Sequence, residues 1–307
     1  MEHPLFLVPS SLPMRLVPGE TVEDLQNRGM RLLQRRDGFR FGTDSVLLAA
    51  YAAAFYQRST RKPLVAADLG AGCGAVSLLL AARLEHARIC GIEVDPCSCE
   101  TLARNIALNR LQERMAAMNI DIRQISAGEW PFADAAAGPF SDRARCSFDL
   151  VVANPPYMKP EQSFGFASPG AKAADAARME MSLDLDQLLQ AADRLLRPGG
   201  RLVMVHRAYR LTDTLTALRT RRLEPKTLRL VQPLPDRRPS VFLLSAIKGG
   251  RPGGFQVEAP LIIASQPGQM SSEAAAWYGH EPLLASKDLY QDLLPSCDHN
   301  ADEAPSR

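Results

Sequence analysis

The spacing of apolar positions changes period along the chain. Met30, Leu32 and Gln34 alternate with Arg31, Leu33 and Arg35, and Phe39 to Phe41 alternate again beyond Asp37-Gly38. Asp-Gly between alternating runs predicts a β-hairpin turning at that pair. Thr43 then caps a helix expected to run to about Phe55, with Asp44 in its first turn. From Leu64 onward, short apolar runs alternate with helical patterns. Strands are predicted over 64–67, 88–92, 115–120, 148–153 and 201–206, with two more at 227–231 and 240–247. Helices are predicted over 75–84, 95–109, 183–196 and 208–222, the third stopped by Pro198-Gly199-Gly200. This alternation predicts an α/β fold built on a mostly parallel, doubly wound sheet, with a small N-terminal hairpin and helix added to it. The expected organisation is an addition over 1–60, a core over 61–285, and a polar, disordered tail over 286–307. Segments 127–145 and 159–177, rich in small residues, read as irregular.

Four polar residues stand where predicted strands end: Asp68, Glu93, Asp121 and Asn154. Open parallel sheets bind ligands beyond the carboxyl ends of their strands, so this topology gathers the four on one rim. Asp68-Leu-Gly70-Ala-Gly72-Cys-Gly74 follows a strand and opens a helix. Glycines there let backbone approach a ligand without Cβ atoms in the way. Glu93, ending the next strand, lies where a carboxylate can bind two ribose hydroxyls. These features suggest a nucleoside-containing cofactor, either a dinucleotide or S-adenosylmethionine. The Gly-x-Gly-x-Gly spacing and Asp68 favour the second. A carboxylate before the turn would repel a pyrophosphate, but it suits a ligand carrying an ammonium and a sulfonium.

The strand at 148–153 leads into Asn154-Pro155-Pro156-Tyr157. The two prolines cannot donate hydrogen bonds and stiffen the turn, which fixes the directions of nearby carbonyls and side chains. An amide or exocyclic amine nitrogen is a poor nucleophile because its lone pair is delocalised. The Asn154 oxygen and the Pro155 carbonyl can each accept one N–H, orienting the nitrogen toward an electrophilic methyl. Such positioning supplies most of the catalysis, with fixed dipoles stabilising charge that develops on nitrogen. Tyr157 offers a flat face for a base or an amide.

Composition narrows the partners only slightly. The 307 residues include 46% hydrophobic and 23% charged residues with a net charge of +2, enough for a sizeable core but no polyelectrolyte tail. Six of the basic residues are lysines and the rest arginines, which suits phosphate contact and equally suits a GC-rich genome. The cysteines Cys73, Cys90, Cys97, Cys99, Cys146 and Cys297 lack zinc spacing and read as reduced thiols, so no metal is expected. No apolar run reaches transmembrane length, and Glu2 stands where a signal peptide needs positive charge. A cytoplasmic protein acting as a monomer or weak dimer, with no membrane partner, is the expectation.

Asp68-x-Gly70-x-Gly72-x-Gly74 with Asn154-Pro155-Pro156-Tyr157 resembles the signature of class I amino-group methyltransferases. Flanking residues resemble the bacterial tRNA(Val) N6-adenine methyltransferase family more closely. The pattern runs through 38–49, Asn105-x-x-Leu108-Asn109, Ala177-Arg178-x-Glu180, 197–201 and 205–207, and continues through 248–250, 260–263 and Tyr278-Gly279. The resemblance covers about residues 20–280. It implies a Rossmann-like class I methyltransferase using S-adenosylmethionine to methylate an adenine beside the anticodon of a tRNA. It also implies cofactor contacts at Asp68, Gly70, Glu93, Asp121 and Asn154, with Asn154 to Tyr157 holding the target base. Gly72, Gly74 and Asp44 join the cofactor candidates. Met179 departs from the family pattern, where His is expected, and 128–145 is longer than usual.

Each supporting residue also has a plainer meaning. Asp44 suits a helix N-terminus and Asp121 a solvated strand end. Arg178 and Arg207 are candidates for gripping RNA, as are Arg221 and Arg222 within a basic stretch that includes Arg210, Arg219, Lys226 and Arg229. A solvated helix face is the commoner meaning of such a run. His206 fits packing better than catalysis. Two alternatives remain beside adenine methylation: N5-glutamine methylation of release factors, and a non-catalytic cofactor-binding protein associated with RNA.

Overall fold

The structure is a computed structural model, and it describes residues 16–36, 41–56, 63–129, 140, 147–155 and 185–279. Two strands, β1 (Glu20–Asp24) and β2 (Arg31–Arg35), form an antiparallel hairpin ahead of α1 (Thr43–Ala54). The central sheet begins with β3 (Leu64–Leu69), β4 (Ala87–Glu93), β5 (Met115–Asn119), β6 (Phe148–Ala153) and β7 (Leu196–Arg207). The helices α2 (Ala75–Arg83), α3 (Pro96–Leu108), α4 (Ile122–Ala127) and α5 (Leu185–Leu195) alternate with these strands. Beyond β7 come α6 (Leu211–Thr220), β8 (Leu223–Gln232) and β9 (Val241–Lys248). Short pieces β10 (Gln256–Val257), β11 (Leu261–Ile262), β12 (Ala264–Gln266) and β13 (Gln269–Met270) lead to α7 (Ser272–Tyr278).

The sheet runs β5-β4-β3-β6-β7-β9-β8, with β10 and β11 along the far edge of β8. Strands β3 to β7 are parallel, as expected, and β9 alone runs antiparallel to both neighbours, β7 and β8. Alternate residues of β3 enter different cores. Leu64 and Ala66 join the layer holding α1, α2 and α3, while Val65, Ala67 and Leu69 join the layer holding α5 and the buried face of α4. Burial on both faces is why these strands read as continuous apolar runs rather than as alternating ones.

The observed hairpin is one that the sequence did not announce. β2 pairs with β1 through a turn over 25–30; the expected turn at Asp37-Gly38 lies outside the described residues. The turn carries positive φ at Gln26, Arg28 and Gly29, so its geometry has no Asp-Gly signature. Thr43 is the first helical residue rather than the cap; Gly42 occupies the cap position without a side-chain bond. The Thr43 hydroxyl instead accepts a hydrogen bond from the Tyr278 hydroxyl at 2.8 Å. Pro198-Gly199-Gly200 is not a gap between helix and strand. β7 already begins at Leu196 and bulges through these residues, where a Cβ on Gly200 would sit 2.9 Å from the Phe148 carbonyl oxygen.

Several motif residues turn out to hold elements together. Asn105 accepts from the Leu33 amide (2.6 Å) and donates to the Leu33 carbonyl (2.9 Å), and Asn109 makes the same pair with Arg31. The two amides thus act as a substitute strand along the open edge of β2. Arg104 and Glu20 form a buried ion pair that fixes the start of β1 to the same helix. Arg197 binds the buried carboxylate of Asp149 (2.6 Å), and Arg201 lies 4.1 Å over the Phe55 ring while donating to Ser245 (2.8 Å).

Candidate active site

The parallel register sets the rim. Leu69 is level with Ile92 on β4 and with Ala153 on β6, and Ala153 is level with Met204 on β7. Asp68, Glu93, Asp121 and Asn154 therefore share one edge of the sheet, as their strand-end positions predicted. Arg207 ends β7 on the same edge.

The three glycines of the turn do different jobs. Gly70 and Gly72 have φ of +71° and +56°, and a Cβ on either would meet no atom within 4 Å. That open space beside left-handed backbone is where a ligand can lie against the chain. Gly74, also expected beside the cofactor, has a packing role of its own. A Cβ there would lie 2.2 Å from Leu102 Cδ1, inside the contact between α2 and α3. The turn is tied down at its start, where the Gly70 and Ala71 amides both donate to the Ile92 carbonyl.

Glu93 is gripped by backbone on both sides. Oε2 accepts from the Gly72 amide at 2.8 Å and Oε1 from the Asp95 amide at 2.9 Å. Burial raises its pKa, partly opposed by these hydrogen bonds. Asp68 is only 1% exposed and accepts a 2.6 Å hydrogen bond from Ser77 on α2. Burial pushes its carboxyl up to about 7; the Ser77 hydrogen bond opposes this and the nearby Glu93 charge adds to it. Ser77 gave no signal in the sequence beyond its place in the first turn of α2. An inward-facing hydroxyl there is read as ordinary helix until β3 and α2 are packed together.

Asp121 caps α4, accepting from the Arg123 amide (2.9 Å) and the Arg123 guanidinium (2.7 Å). Burial pushes its pKa up, but the Arg123 hydrogen bonds and charge outweigh this and hold it below the usual carboxylate range. Asn154 is half-buried, and its amide nitrogen donates to Ser45 Oγ on α1 at 3.4 Å. The contact engages the nitrogen, while the chemistry expected of Asn154 needs its oxygen as acceptor. Ser45 is buried and adjoins Asp44 in the first turn of α1. Sequence reasoning singled out Asp44 and missed Ser45, since only the fold brings α1 to the end of β6. Pro155 is buried next to Asn154. Pro156, Tyr157 and Arg178 lie outside the described residues.

The basic stretch does not form one surface. Arg221 and Arg222 precede β8, whose Leu223 is level with Lys248 at the end of β9. That end of β9 pairs with Arg201 of β7, six residues (about 20 Å of strand) from Arg207. Arg221 and Arg222 therefore occupy the edge opposite Asn154. Arg221 is also ion-paired with Asp186, and Arg229 with Glu273 at 2.6 Å. His206 is buried against Phe242, with its pKa lowered to about 4 by burial and by Arg210 and Arg207. It is a neutral packing residue, as its sequence context suggested.

A parallel sheet with one antiparallel strand, a glycine turn after the first core strand and a carboxylate after the second define a class I methyltransferase. The comparisons agree. A family model described as the TRM5/TYW2 methyltransferase domain matches residues 56–135. The chain is 33% identical over 204 residues to a tRNA1(Val) (adenine(37)-N6)-methyltransferase of Porphyromonas gingivalis, covering 66% of this chain and 72% of that protein. It is 29% identical over 171 residues to the protein of the same name from Yersinia pestis, covering 55% and 58% of the two. Among solved structures, a predicted O-methyltransferase from Agrobacterium tumefaciens superposes with a TM-score of 0.57 at 22% identity, covering 76% of this chain and 95% of that one. A type I restriction-modification methyltransferase subunit from Streptococcus thermophilus gives 0.53 at 16% identity, covering 80% and 54%. The chain belongs to the tRNA1(Val) (adenine(37)-N6)-methyltransferase family. It is an S-adenosylmethionine-dependent methyltransferase. Among the described residues, no helix is long and apolar enough to cross a membrane.

Proposed function

We propose that this enzyme methylates N6 of an adenine in tRNA, with adenine 37 of tRNA1(Val), the target in its relatives' names, as the first candidate. The observation carrying this reading is the meeting of Asn154 with a carboxylate-lined glycine turn on one rim, in a chain of this family. S-adenosylmethionine, when bound, supplies a methyl group made electrophilic by its sulfonium. Gly70 and Gly72 leave room for it against the backbone, and the backbone-anchored Glu93 suits its ribose hydroxyls. Asp68 and Asp44 add negative charge that suits a cation. Asp121 joins them at the adenine end of the cofactor by releasing Arg123. The Asn154 oxygen and the Pro155 carbonyl accept the two N–H groups of the target amine. That places its nitrogen in line and localises its lone pair. Pro156 stiffens this turn and Tyr157 stacks on the base. No strong base is required, since a proton can leave the amine after transfer. A tRNA substrate also places the enzyme in the cytoplasm.

Incubation with labelled methyl donor and, separately, total tRNA, total rRNA and release factor tests this reading. Nucleoside analysis is expected to show N6-methyladenosine in tRNA. Label confined to protein, or to other nucleosides, defeats it.

A further inference from the structure

The rim changes sign at Asn154. On its β3–β5 side stand Asp68, Glu93, Asp95 and Asp121, answered by Arg123. On its β7–β8 side stand Arg207, Arg210, Arg237 and Arg238, with Asp213 and Asp236 as the acidic groups. The loop over 233–240 joins β8 to β9 on this edge, because Val231 and Arg207 are both level with Val241. The loop is built rather than slack. The Arg237 amide donates to the Leu234 carbonyl, the Gln232 side chain to the Arg237 carbonyl (2.8 Å), and the Ala208 amide to the Ser240 carbonyl (3.1 Å). The last bond fastens the loop to the residue beside Tyr209, whose ring is 59% exposed. Arg237 and Arg238 are exposed, and Arg237 has only a loose 4.0 Å contact with Asp236. β8 lies three strands from β6, so the loop stands about 15 Å from the Asn154 strand along the rim. A nucleic acid entering the site would cross this half of the edge.

We infer that Tyr209, Arg237 and Arg238 form a docking surface for the RNA backbone and one base flanking the target adenine. The inference rests on the RNA reading above. Exposed guanidinium groups on a braced loop suit phosphate, and an exposed aromatic between them and the site suits an unstacked base. The same half of the rim would repel the cationic cofactor, whereas the acidic half attracts it and repels phosphate. Each substrate thus has its own side of Asn154.

The test measures tRNA affinity against salt concentration, together with methylation kinetics, for wild type and four variants. The double variant R237A/R238A is expected to raise KM for tRNA about ten-fold with kcat and cofactor affinity nearly unchanged. Its log K against log salt slope should shrink by roughly 1.5, the loss expected for two phosphate contacts. Tyr209→Ala should lose about ten-fold in tRNA affinity with the salt slope intact, and Tyr209→Phe should restore it. Arg110→Ala, an exposed arginine at the opposite edge, controls for overall charge and should leave all of these readouts at wild-type values. Wild-type tRNA methylation with unchanged KM and slope in R237A/R238A overturns the docking surface alone. An equal loss in Arg110→Ala also overturns it, by showing a response to net charge. A wild type that methylates only protein overturns both the surface and the RNA reading.

Discussion

The two halves of the rim carry charge in different settings. Around β3 and β4 the carboxylates are anchored: Asp68 is buried under Ser77, and Glu93, half-buried, is held by two backbone amides. On the other half, Arg237 and Arg238 stand in solvent on a loop braced by backbone, while Arg207 and Arg210 are half-buried. A small cation is bound by a few fixed groups in a closed space, where each contact is worth much. A polyanion is met by exposed charge whose value falls with salt. The lesson is that burial distinguishes the two kinds of site better than charge does. Arg221 and Arg222 make the same point from outside the rim, since a basic run in sequence became an ion pair and a turn at the opposite edge.

The largest effect is expected at the boundary. Asn154→Ala should lower kcat by about 100- to 1000-fold, the usual loss when one preorganised polar group is removed. Cofactor binding should weaken only modestly in calorimetry. Near-normal turnover would remove Asn154 from the chemistry and erase the boundary between the halves. Glu93→Gln tests the acidic half: KM for the methyl donor should rise about ten-fold or more, since a charged acceptor is replaced by a neutral one. KM for tRNA should stay within two-fold, and a matched rise in both would mean that the halves are not separate.

Asp68 gives a pH signature. Its folded pKa, about 7, lies above its unfolded value near 3.8, so the folded state holds the proton longer. Its contribution makes the cofactor-free protein less stable as pH rises from about 4 to 7, with little further change above 7. His206 works in the opposite sense, because its folded pKa is depressed to about 4 and stability is lost as pH falls below about 6.5. The difference between wild type and Asp68→Asn isolates the first effect. The melting advantage of the variant should grow between pH 5 and 8, and a pH-independent difference would show that Asp68 is ionised throughout. Smallest of all, Arg221→Ala removes a partly exposed ion pair with Asp186 and should cost under about 1 kcal/mol. tRNA affinity should be unchanged there; a clear loss would return that edge to the substrate surface.

Much of the site was legible because strand ends and glycine turns are local features. The parallel core, the Asp68 to Gly74 turn, Glu93 and Asn154 follow from residue type and period alone. Ser45 and Ser77 were not legible, because each acts on a residue of a different element. The β1–β2 turn was not legible because 25–30 turns on left-handed backbone at Gln26 and Arg28, residues with no turn preference. Gly74 was legible as a glycine but not as a packing residue, since Leu102 approaches it from another helix.

By itself the sequence determined the fold class, the residues that line the rim and the methyltransferase signature, because period and strand-end residue types are written residue by residue. Only the tertiary structure decided which charges face the site. Strand order and the antiparallel β9 place Arg207 and the 233–240 loop on the catalytic edge and send Arg221 and Arg222 about 20 Å away. That choice depends on how strands pair across the chain, and no window of neighbouring residues contains it.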